Sequence, residues 1–152
     1  MREKVRVYVE VLDENVELPK YSNPNDSGMD IRANADVEIK PQQTLIIPTG
    51  LKVSIPEGYE IQVRARSGLS LKTPLRIANG IGTIDCSYKN ELGIIAHNSA
   101  DVTIGSNIII NKGDRIAQLV LQKVPMIEWN VVDDINKYGA DRNGGFGSTG
   151  IK

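Results

Sequence analysis

The chain has 152 residues with 18 basic and 19 acidic side chains, which gives a formal net charge of −1 at pH 7. This length suits one domain with an ordinary buried core, and the balanced charge excludes the broad positive field that a nucleic-acid backbone requires. A single cysteine, Cys86, and a single histidine exclude an internal disulfide and a zinc site built from thiols and imidazoles.

Apolar residues are distributed in short runs along the whole chain. No run is long enough to span a bilayer, and the N-terminal residues lack the unbroken apolar stretch of a signal peptide. A lone thiol fits a reducing compartment. The sequence therefore predicts a soluble, cytoplasmic protein that binds neither membranes nor nucleic acids.

The first 121 residues contain many short β-branched runs separated by turn residues. In Val5 to Val11, valines alternate with polar residues, a pattern typical of a strand with one apolar face. Leu69 to Lys72 is predicted to form one or two helical turns. Short strands at this spacing predict an all-β sandwich or barrel. Further strands are predicted at Val37 to Ile39, Leu45 to Ile47, Leu51 to Ile55, Tyr59 to Ala65, Leu92 to Ala96, Val102 to Ile104, Ile108 to Ile110 and Ile116 to Leu121.

The last residues of the chain differ in composition from the rest. Asp141 to Gly150 contains four glycines and one aromatic residue, which cannot form a packed core. We therefore predict a single domain over residues 1–152, with a β core over about 1–138 and a flexible, glycine-rich C-terminal arm over about 139–152. A frayed terminus without a function has the same composition.

The C-terminal arm also has groups that can hold a polyphosphate. Glycine leaves backbone N–H groups open to an anion, Ser148 and Thr149 add hydroxyl donors, and Arg142 adds a guanidinium. Phe146 is the only phenylalanine, and among glycines it has no flat partner unless a ligand such as a nucleobase supplies one. The lysine of a Walker loop is absent, so the arm is not that motif.

Two internal segments add polar groups suited to the same ligand. Arg66, Ser67 and Gly68 end a predicted strand and combine a guanidinium, a hydroxyl and open backbone donors, although a plain turn has the same composition. Gln118 lies among the apolar residues of the predicted strand Ile116 to Leu121. Its amide either lies on the solvent face of an edge strand or contacts a ligand.

Asp30 and Asp85 each lie close to a glycine-containing turn. Two carboxylates near a triphosphate can hold Mg²⁺, directly or through water, and orient an attacking water molecule. Most aspartates at turns only cap the backbone, and the sequence does not show whether these two meet. His97, Cys86 and Trp129 are predicted to be structural, as a strand residue, a small filler and a core or interface residue.

Five segments resemble, in order, the five motifs of the trimeric dUTPase family, and together they span residues 27–150. The resemblance implies a jelly-roll type β-barrel, assembled as a homotrimer whose active sites are shared between subunits. It also implies Mg²⁺-assisted hydrolysis of dUTP to dUMP and pyrophosphate by attack of water on the α-phosphorus. This reaction keeps uracil out of DNA and supplies dUMP for thymidylate synthesis. The segments are Ser27 to Ile31, Arg66 to Leu69, Gly82 to Tyr88, Gly113 to Leu119 and Gly145 to Gly150.

The resemblance further implies roles for individual residues. Asp85 is the general base that orients the attacking water, and Asp30 holds the metal ion through water. Tyr88 lies under the deoxyribose and leaves no room for a 2′-hydroxyl, and Phe146 stacks on uracil. The implied contacts to uracil come from Asn79, Gly82, Thr83, Ile84 and Gly93, and those to the phosphates from Arg66, Ser67, Gly68, Gln118, Arg142, Gly147, Ser148 and Thr149.

Two positions depart from the family pattern. Asn90 stands where the family usually has glycine, and asparagine tolerates the positive φ that such a glycine often adopts. The stretch from Arg142 to Phe146 is one residue shorter than the usual pattern. This puts the phosphate contact of Arg142 in more doubt than the stacking of Phe146.

Two other functions share features with this prediction. A dCTP deaminase has the same fold superfamily and a similar triphosphate site, but it needs a differently placed glutamate for chemistry on the base. The Gly82 to Tyr88 segment, with its aspartate, speaks against that enzyme. A binding or regulatory protein that keeps the nucleotide site and acts through a partner is the second alternative.

Overall fold

The computed structural model describes residues 2–141 and residue 144. Regular structure in these residues is almost all β-strand, with one short α-helix and one turn of 3-10 helix at Ile135–Lys137. This confirms the prediction of an all-β fold. The elements are β1 (Tyr8–Val11), β2 (Met29–Arg32), β3 (Val37–Ile39), β4 (Thr44–Pro48), β5 (Leu51–Ser54), β6 (Tyr59–Arg64), α1 (Ser67–Lys72), β7 (Leu75–Ile77), β8 (Gly82–Ile84), β9 (Gly93–Asn98), β10 (Ile108–Ile110) and β11 (Arg115–Lys123).

The described strands form two sheets and two ribbons, and every pairing among them is antiparallel. The larger sheet has the order β2-β11-β6-β8, the smaller sheet has the order β4-β9-β7, and the ribbons are β1-β5 and β3-β10. Neighbours in the larger sheet are far apart in sequence. The long strand β11 therefore brings the segments around β2 and β6 to its two sides. Closure into a jelly-roll type barrel stays a prediction.

The core consists mainly of isoleucine, leucine and valine side chains on the inner faces of the strands. Along β9, buried and more exposed residues alternate, as expected when one face of a strand packs on the core. Ile39, Ile47, Leu92 and Ile94 are at most 1% exposed. Burial of each such side chain contributes roughly 1.5–3 kcal/mol, so a core of this kind can hold the strands that carry the polar segments.

The predicted strand at Val102 to Ile104 is wrong. The Asp101 carboxylate accepts hydrogen bonds from the Thr103 backbone N–H, at 2.7 Å, and from the Thr103 hydroxyl. The Gly105 N–H donates to the Asp101 carbonyl oxygen at 2.7 Å. These local bonds close a turn and compete with the ladder of a sheet. Val102 and Ile104 are 68% and 87% exposed, so their apolar character does not reflect a buried strand.

Strands β2, β7 and β8 were not predicted, and they have only three or four residues each. Asp30 was predicted to lie in a turn leading to Ile31, but both residues belong to β2. The first strand begins at Tyr8 rather than Val5, and all its residues are exposed. Such short strands are held by pairing with distant partners, which a local pattern does not show.

The helical structure is limited to short segments. Helix α1 confirms the predicted helical turns at Leu69 to Lys72 and begins two residues earlier, at Ser67. Within residues 2–141, no helix has the length and apolar composition needed to cross a membrane.

Candidate functional site

The central strand β11 brings together side chains from three segments of the sequence. Gln118 in β11 pairs with Asp30 in β2 on one side and with Arg64 in β6 on the other. The chain leaves β6 and remains extended at Arg66, the N-cap residue before α1. The register thus gathers several of the predicted phosphate and metal residues at one end of the large sheet. Arg115, the first residue of β11, lies in the same group through its contact with Asp30. We call this group the β11 cluster, and its members are Asp30, Arg66, Ser67, Gly68, Arg115 and Gln118.

Asp30 accepts hydrogen bonds from two arginines in the β11 cluster. Arg66 donates through Nε to Asp30 Oδ1 at 2.9 Å, and Arg115 donates through Nη1 to Oδ2 at 3.2 Å. Arg66 also donates through Nη1 to the Arg115 carbonyl oxygen at 3.1 Å. Two guanidinium groups against one carboxylate leave a local excess of one positive charge, which suits a phosphate. Arg115 was not among the predicted site residues, and its only signal in the sequence is its place in the segment that contains Gln118.

The Gln118 amide is restricted from two sides. Its Nε2 atom donates to the Ala65 carbonyl oxygen at 3.0 Å, and a Cβ atom at Gly28 would lie 2.6 Å from its Oε1 atom. A side chain at Gly28 would therefore displace the amide. Gln118 is half-buried in an interior strand, so the alternative of a solvent-facing residue on an edge strand is wrong. Gly28 was not among the predicted site residues, although it lies in the segment Ser27 to Ile31.

Ser67 and Gly68 form the exposed first turn of α1. No side chain caps this end of the helix, and the first helical bond runs from the Ser70 N–H to the Arg66 carbonyl oxygen at 3.0 Å. The N–H groups of a first helical turn have no partner within the helix. They are therefore open to an anion that also contacts the arginines of the β11 cluster.

A separate pocket is lined by five residues predicted to contact uracil, which are Asn79, Gly82, Thr83, Ile84 and Gly93. Its volume is about 180 Å³. Gly82 is packed closely against its neighbours, since a Cβ atom there would lie 3.0 Å from Val63 Cβ and 3.2 Å from Asn79 Nδ2. The absence of a side chain at this position keeps the space beside the Asn79 amide open. The residues lining the pocket are Val63, Asn79, Gly82, Thr83, Ile84, Tyr88, Leu92, Gly93 and Ile95.

Asp85 and Tyr88 lie in the loop that follows β8. The Tyr88 N–H donates to the Asp85 carbonyl oxygen at 3.1 Å and closes a turn. The Tyr88 hydroxyl donates to the Glu91 carbonyl oxygen at 2.9 Å, which fixes the ring at the side of the pocket. The Asp85 side chain is exposed and can therefore contact water and substrate.

Asp85 and the β11 cluster lie at opposite ends of the β6–β8 ladder. In the antiparallel pairing of β6 with β8, Ile61 is opposite Ile84. Asp85 is therefore level with Glu60 at the start of β6, whereas Arg66 lies six residues after Glu60 in the chain. At a rise of about 3.3 Å per residue, roughly 20 Å of extended chain separates the two levels. One subunit therefore does not bring Asp85 to the β11 cluster, and Asp30 and Asp85 do not meet within it.

The described residues contain no group of three or more histidine, cysteine, aspartate or glutamate side chains that could hold a metal ion. Both oxygens of Asp30 already accept hydrogen bonds from arginines. A carboxylate oxygen has a second lone pair, so each can still accept a hydrogen bond from a water molecule. Asp30 thus fits a contact to metal-bound water better than direct coordination.

The loop around Asn90 does not need the conformational freedom of glycine. Gln42 is the only non-glycine residue with a positive φ in the part of the chain that the structure describes. Asparagine at position 90 therefore carries no backbone penalty.

The five predicted arm residues lie outside the described residues. They are Arg142, Phe146, Gly147, Ser148 and Thr149.

The three residues predicted to be structural have different environments. His97 lies in β9, and its Nδ1 atom is 2.9 Å from the Thr44 hydroxyl. Cys86 is half-buried and packs against the core, as a small filler does. Trp129 is 83% exposed, so the core alternative is wrong for this residue and an interface with another chain is the alternative that remains.

Comparison with known proteins gives matches over most of the chain. A family model described as dUTPase matches residues 14–150. The deoxyuridine 5′-triphosphate nucleotidohydrolase of Finegoldia magna is 47% identical over 139 residues, which cover 90% of this chain and 93% of that protein. The protein of the same name from Fusobacterium nucleatum is 42% identical over 149 residues, which cover 97% of this chain and 98% of that protein.

Solved structures of phage proteins have a similar fold. A dUTPase of Staphylococcus bacteriophage 80alpha with dUpNHpp superposes with a TM-score of 0.83 and 29% identity, over 96% of this chain and 99% of that one. A dUTPase from phage phi11 of S. aureus, described as coordinating a structural Mg(II) ion, gives a TM-score of 0.78 and 32% identity, over 85% of this chain and 97% of that one. With the family model and the bacterial relatives, these matches show that the chain belongs to the dUTPase family.

Proposed function

We propose that this protein is a cytoplasmic enzyme that hydrolyses dUTP to dUMP and pyrophosphate, and so keeps uracil out of DNA and supplies dUMP for thymidylate synthesis. The observation that carries the proposal is the pocket of about 180 Å³ beside Tyr88, with Asp85 in the same loop. The bacterial relatives named deoxyuridine 5′-triphosphate nucleotidohydrolase support the same substrate.

The base and the sugar bind in the pocket. The Asn79 amide and the backbone groups of Gly82, Thr83, Ile84 and Gly93 read the polar edge of uracil, and the narrow walls of the pocket exclude the methyl group of thymine. Tyr88 lies under the deoxyribose, with its hydroxyl held by the Glu91 carbonyl oxygen at 2.9 Å. A tyrosine fixed in this way leaves no room for a 2′-hydroxyl, so UTP is a poor substrate.

The reaction itself requires one proton acceptor and many phosphate contacts. Asp85 orients a water molecule and accepts its proton as the water oxygen attacks the α-phosphorus. The bond to the bridging oxygen then breaks, and pyrophosphate leaves. Arg66, Ser67, Gly68 and Gln118 bind the phosphates and stabilise the charge that develops on them.

Mg²⁺ is the metal ion that this site would use. Asp30 would hold it through water, which agrees with an aspartate whose oxygens are already bonded to Arg66 and Arg115. In proteins, Mg²⁺ usually keeps several waters and binds through few carboxylates together with substrate phosphates. When bound, the ion would neutralise negative charge on the triphosphate.

The active protein is proposed to be a homotrimer, in which the pocket of one subunit faces the β11 cluster of another. The roughly 20 Å of strand between the levels of Asp85 and Arg66 supports a site made from different chains. A second support is an unpaired apolar segment after β11, within the described residues. Its exposed side chains, with their exposed fractions, are Met126 (94%), Ile127 (71%), Trp129 (83%), Val131 (94%) and Ile135 (70%).

The C-terminal arm completes the proposed site. Its composition supports closure over the substrate, with Phe146 stacked on uracil and the remaining groups on the phosphates. Ordering a glycine-rich segment costs roughly 1–2 kcal/mol per residue, so the phosphate contacts must offset that cost. The phosphate groups of the arm are Arg142, Gly147, Ser148 and Thr149.

A panel of nucleotides tests the proposed function. Pyrophosphate release is measured with dUTP, dTTP, dCTP and UTP, each with Mg²⁺ and with EDTA. We expect turnover of dUTP alone, and only with Mg²⁺. Equal turnover of UTP would contradict the role of Tyr88, ammonia release from dCTP would indicate a deaminase, and tight binding without turnover would indicate a regulatory protein.

A further inference from the structure

Glu91 joins the loop after β8 to a turn that is distant in sequence. Its Oε1 atom accepts a hydrogen bond from the Gly50 backbone N–H at 2.8 Å, and the side chain is half-buried. Gly50 has a φ of +71° and lies in the turn between β4 and β5. A hydrogen bond to an ionised carboxylate is about twice as strong as one between neutral groups.

Two further hydrogen bonds join the same two segments. The Thr49 hydroxyl donates to the Leu92 carbonyl oxygen at 2.7 Å, and the Leu92 N–H donates to the Leu51 carbonyl oxygen at 2.8 Å. Thr49 is 1% exposed, so the first of these bonds is shielded from water. Together with the Glu91 bond they form what we call the Glu91 clamp, three hydrogen bonds that hold Glu91 and Leu92 against the turn at Thr49 to Leu51.

The Glu91 clamp also holds the group that fixes Tyr88. The Tyr88 hydroxyl donates to the backbone carbonyl oxygen of Glu91 at 2.9 Å, and Leu92 lines the same pocket as Tyr88. A shift of the backbone at Glu91 would therefore move the hydrogen-bond acceptor of the tyrosine. The position of the Tyr88 ring depends on a carboxylate that does not line the pocket.

We propose that Glu91 is a positioning residue for sugar discrimination, acting through Tyr88. This inference rests on the proposed function, in which Tyr88 excludes the 2′-hydroxyl of ribonucleotides by lack of space. A hydrophobic pocket rejects an added hydroxyl only weakly. Rejection by lack of space also requires that the walls of the pocket keep their positions. The Glu91 clamp supplies that rigidity, because its bonds tie the wall of the pocket to a turn beside the core.

Kinetics with dUTP and UTP test the proposal. We expect Glu91→Ala to lower the ratio of kcat/KM for dUTP over UTP by about tenfold, as one hydrogen bond to a charged group allows. KM for dUTP rises, while kcat for dUTP changes little because Asp85 is intact. Glu91→Gln keeps an acceptor oxygen and recovers most of the ratio. Glu38→Ala is the matched control, since it removes an exposed carboxylate that binds the Asn107 side chain away from the pocket.

An unchanged ratio in folded Glu91→Ala, a loss of equal size in Glu38→Ala, or no recovery in Glu91→Gln would overturn the assignment. Thermal denaturation of each variant confirms that it is folded. The double variant Glu91→Ala with Tyr88→Phe tests whether Glu91 acts through the Tyr88 hydroxyl. If it does, the double variant loses no more discrimination between dUTP and UTP than Tyr88→Phe alone. Additive losses would show that Glu91 does not act through this hydroxyl.

Hydrogen exchange separates this inference from the proposed function. If the wild type releases no pyrophosphate from dUTP, the proposed function fails, but the clamp can still be measured without a substrate. The amide protons of Gly50 and Leu92 should exchange faster in Glu91→Ala than in the wild type, and at unchanged rates in Glu38→Ala. Equally slow exchange in Glu91→Ala would show that Glu91 does not hold the loop.

Discussion

Asp85 follows a strand of only three residues, β8, so the register of that strand with β6 determines where the carboxylate lies. The side chain is exposed, and the turn closed by the Tyr88 N–H keeps it beside the pocket. An exposed carboxylate next to a pocket of about 180 Å³ can reach both a water molecule and the sugar end of a nucleotide. The proposed role of Asp85 as a general base depends on the negative charge of its carboxylate.

We expect Asp85→Asn to lower kcat for dUTP by roughly 10²–10⁴-fold, because an amide cannot accept the proton of the attacking water. Binding of a non-hydrolysable dUTP analogue should stay close to that of the wild type. Steady-state kinetics measures kcat, and calorimetry measures the affinity for the analogue. Asp36→Asn is the control, since Asp36 only accepts a bond from the Lys112 N–H at 2.7 Å, and retained turnover in Asp85→Asn would remove Asp85 from the role of base.

Gly28 and Gln118 provide a second test at single residues. A Cβ atom at position 28 would lie 2.6 Å from Gln118 Oε1, so Gly28→Ala forces the amide to move. The end of a glutamine side chain moves at little cost, and we expect the melting temperature to change little while KM for dUTP rises several-fold. An unchanged KM would show that the Gln118 amide does not contact the phosphates.

The sequence identified many of these residues but not their partners. Asp30 and Arg66 were both assigned to the substrate site, yet their ion pair at 2.9 Å depends on two strands on either side of β11. The contact between Arg115 and Asp30 depends on the same strand register. Pairing between segments separated by tens of residues leaves no local signal, so it was not predictable from one sequence.

Elements with strong local patterns were predicted well, and elements that depend on distant partners were not. β11 was predicted from its apolar run, and one or two helical turns were predicted at Leu69 to Lys72, within α1. β2 was not, because its four residues directly follow the turn residues Asp26 to Gly28, and only pairing with β11 makes it a strand. The strand predicted at 102–104 was wrong because of a local contact. The Asp101 side chain accepts a hydrogen bond from the Thr103 backbone N–H, which favours a turn over pairing in a sheet.

The loop after β1 is attached to the turn before β11 by an ion pair. The Lys112 ammonium lies 2.6 Å from Asp13 Oδ2. Its hydrogen bond to Asp13 is the largest cause that lowers the pKa of this carboxyl from 3.8 to about 2, and the Asn15 backbone N–H adds to the effect. A depressed pKa in the folded state means that the contribution to stability is present above pH 3.8 and is lost as the pH falls through about 2.

Replacing Lys112 should change this acid dependence. In Lys112→Met the ion pair is absent at every pH, so we expect the pKa of Asp13 to rise toward 3.8 and most of the acid-dependent contribution of this contact to disappear. Lys112→Arg keeps a positive partner and should keep the low pKa. An NMR titration of the Asp13 carboxyl carbon measures the three values, and a pKa that stays near 2 in Lys112→Met would contradict the assigned cause.

In the whole molecule, the two parts of the proposed site are separated within one chain. The pocket with Asp85 and Tyr88 lies at one end of the β6–β8 ladder, and Arg66 lies beyond the other end, roughly 20 Å away along the strands. The sequence predicted assembly only through its resemblance to a trimeric family. No residue pattern showed it, because an interface is a property of surfaces that form only after folding.

Mixing two inactive variants tests the shared site most directly. Asp85→Asn damages the pocket, and Arg66→Ala damages the β11 cluster, so each variant alone should be nearly inactive. After the two are unfolded and refolded together in equal amounts, random association should restore about a quarter of the wild-type rate of dUTP hydrolysis, since one site in four combines an intact pocket with an intact cluster. Activity no higher than the average of the separate variants would contradict the account, because it would mean that pocket and cluster come from the same chain.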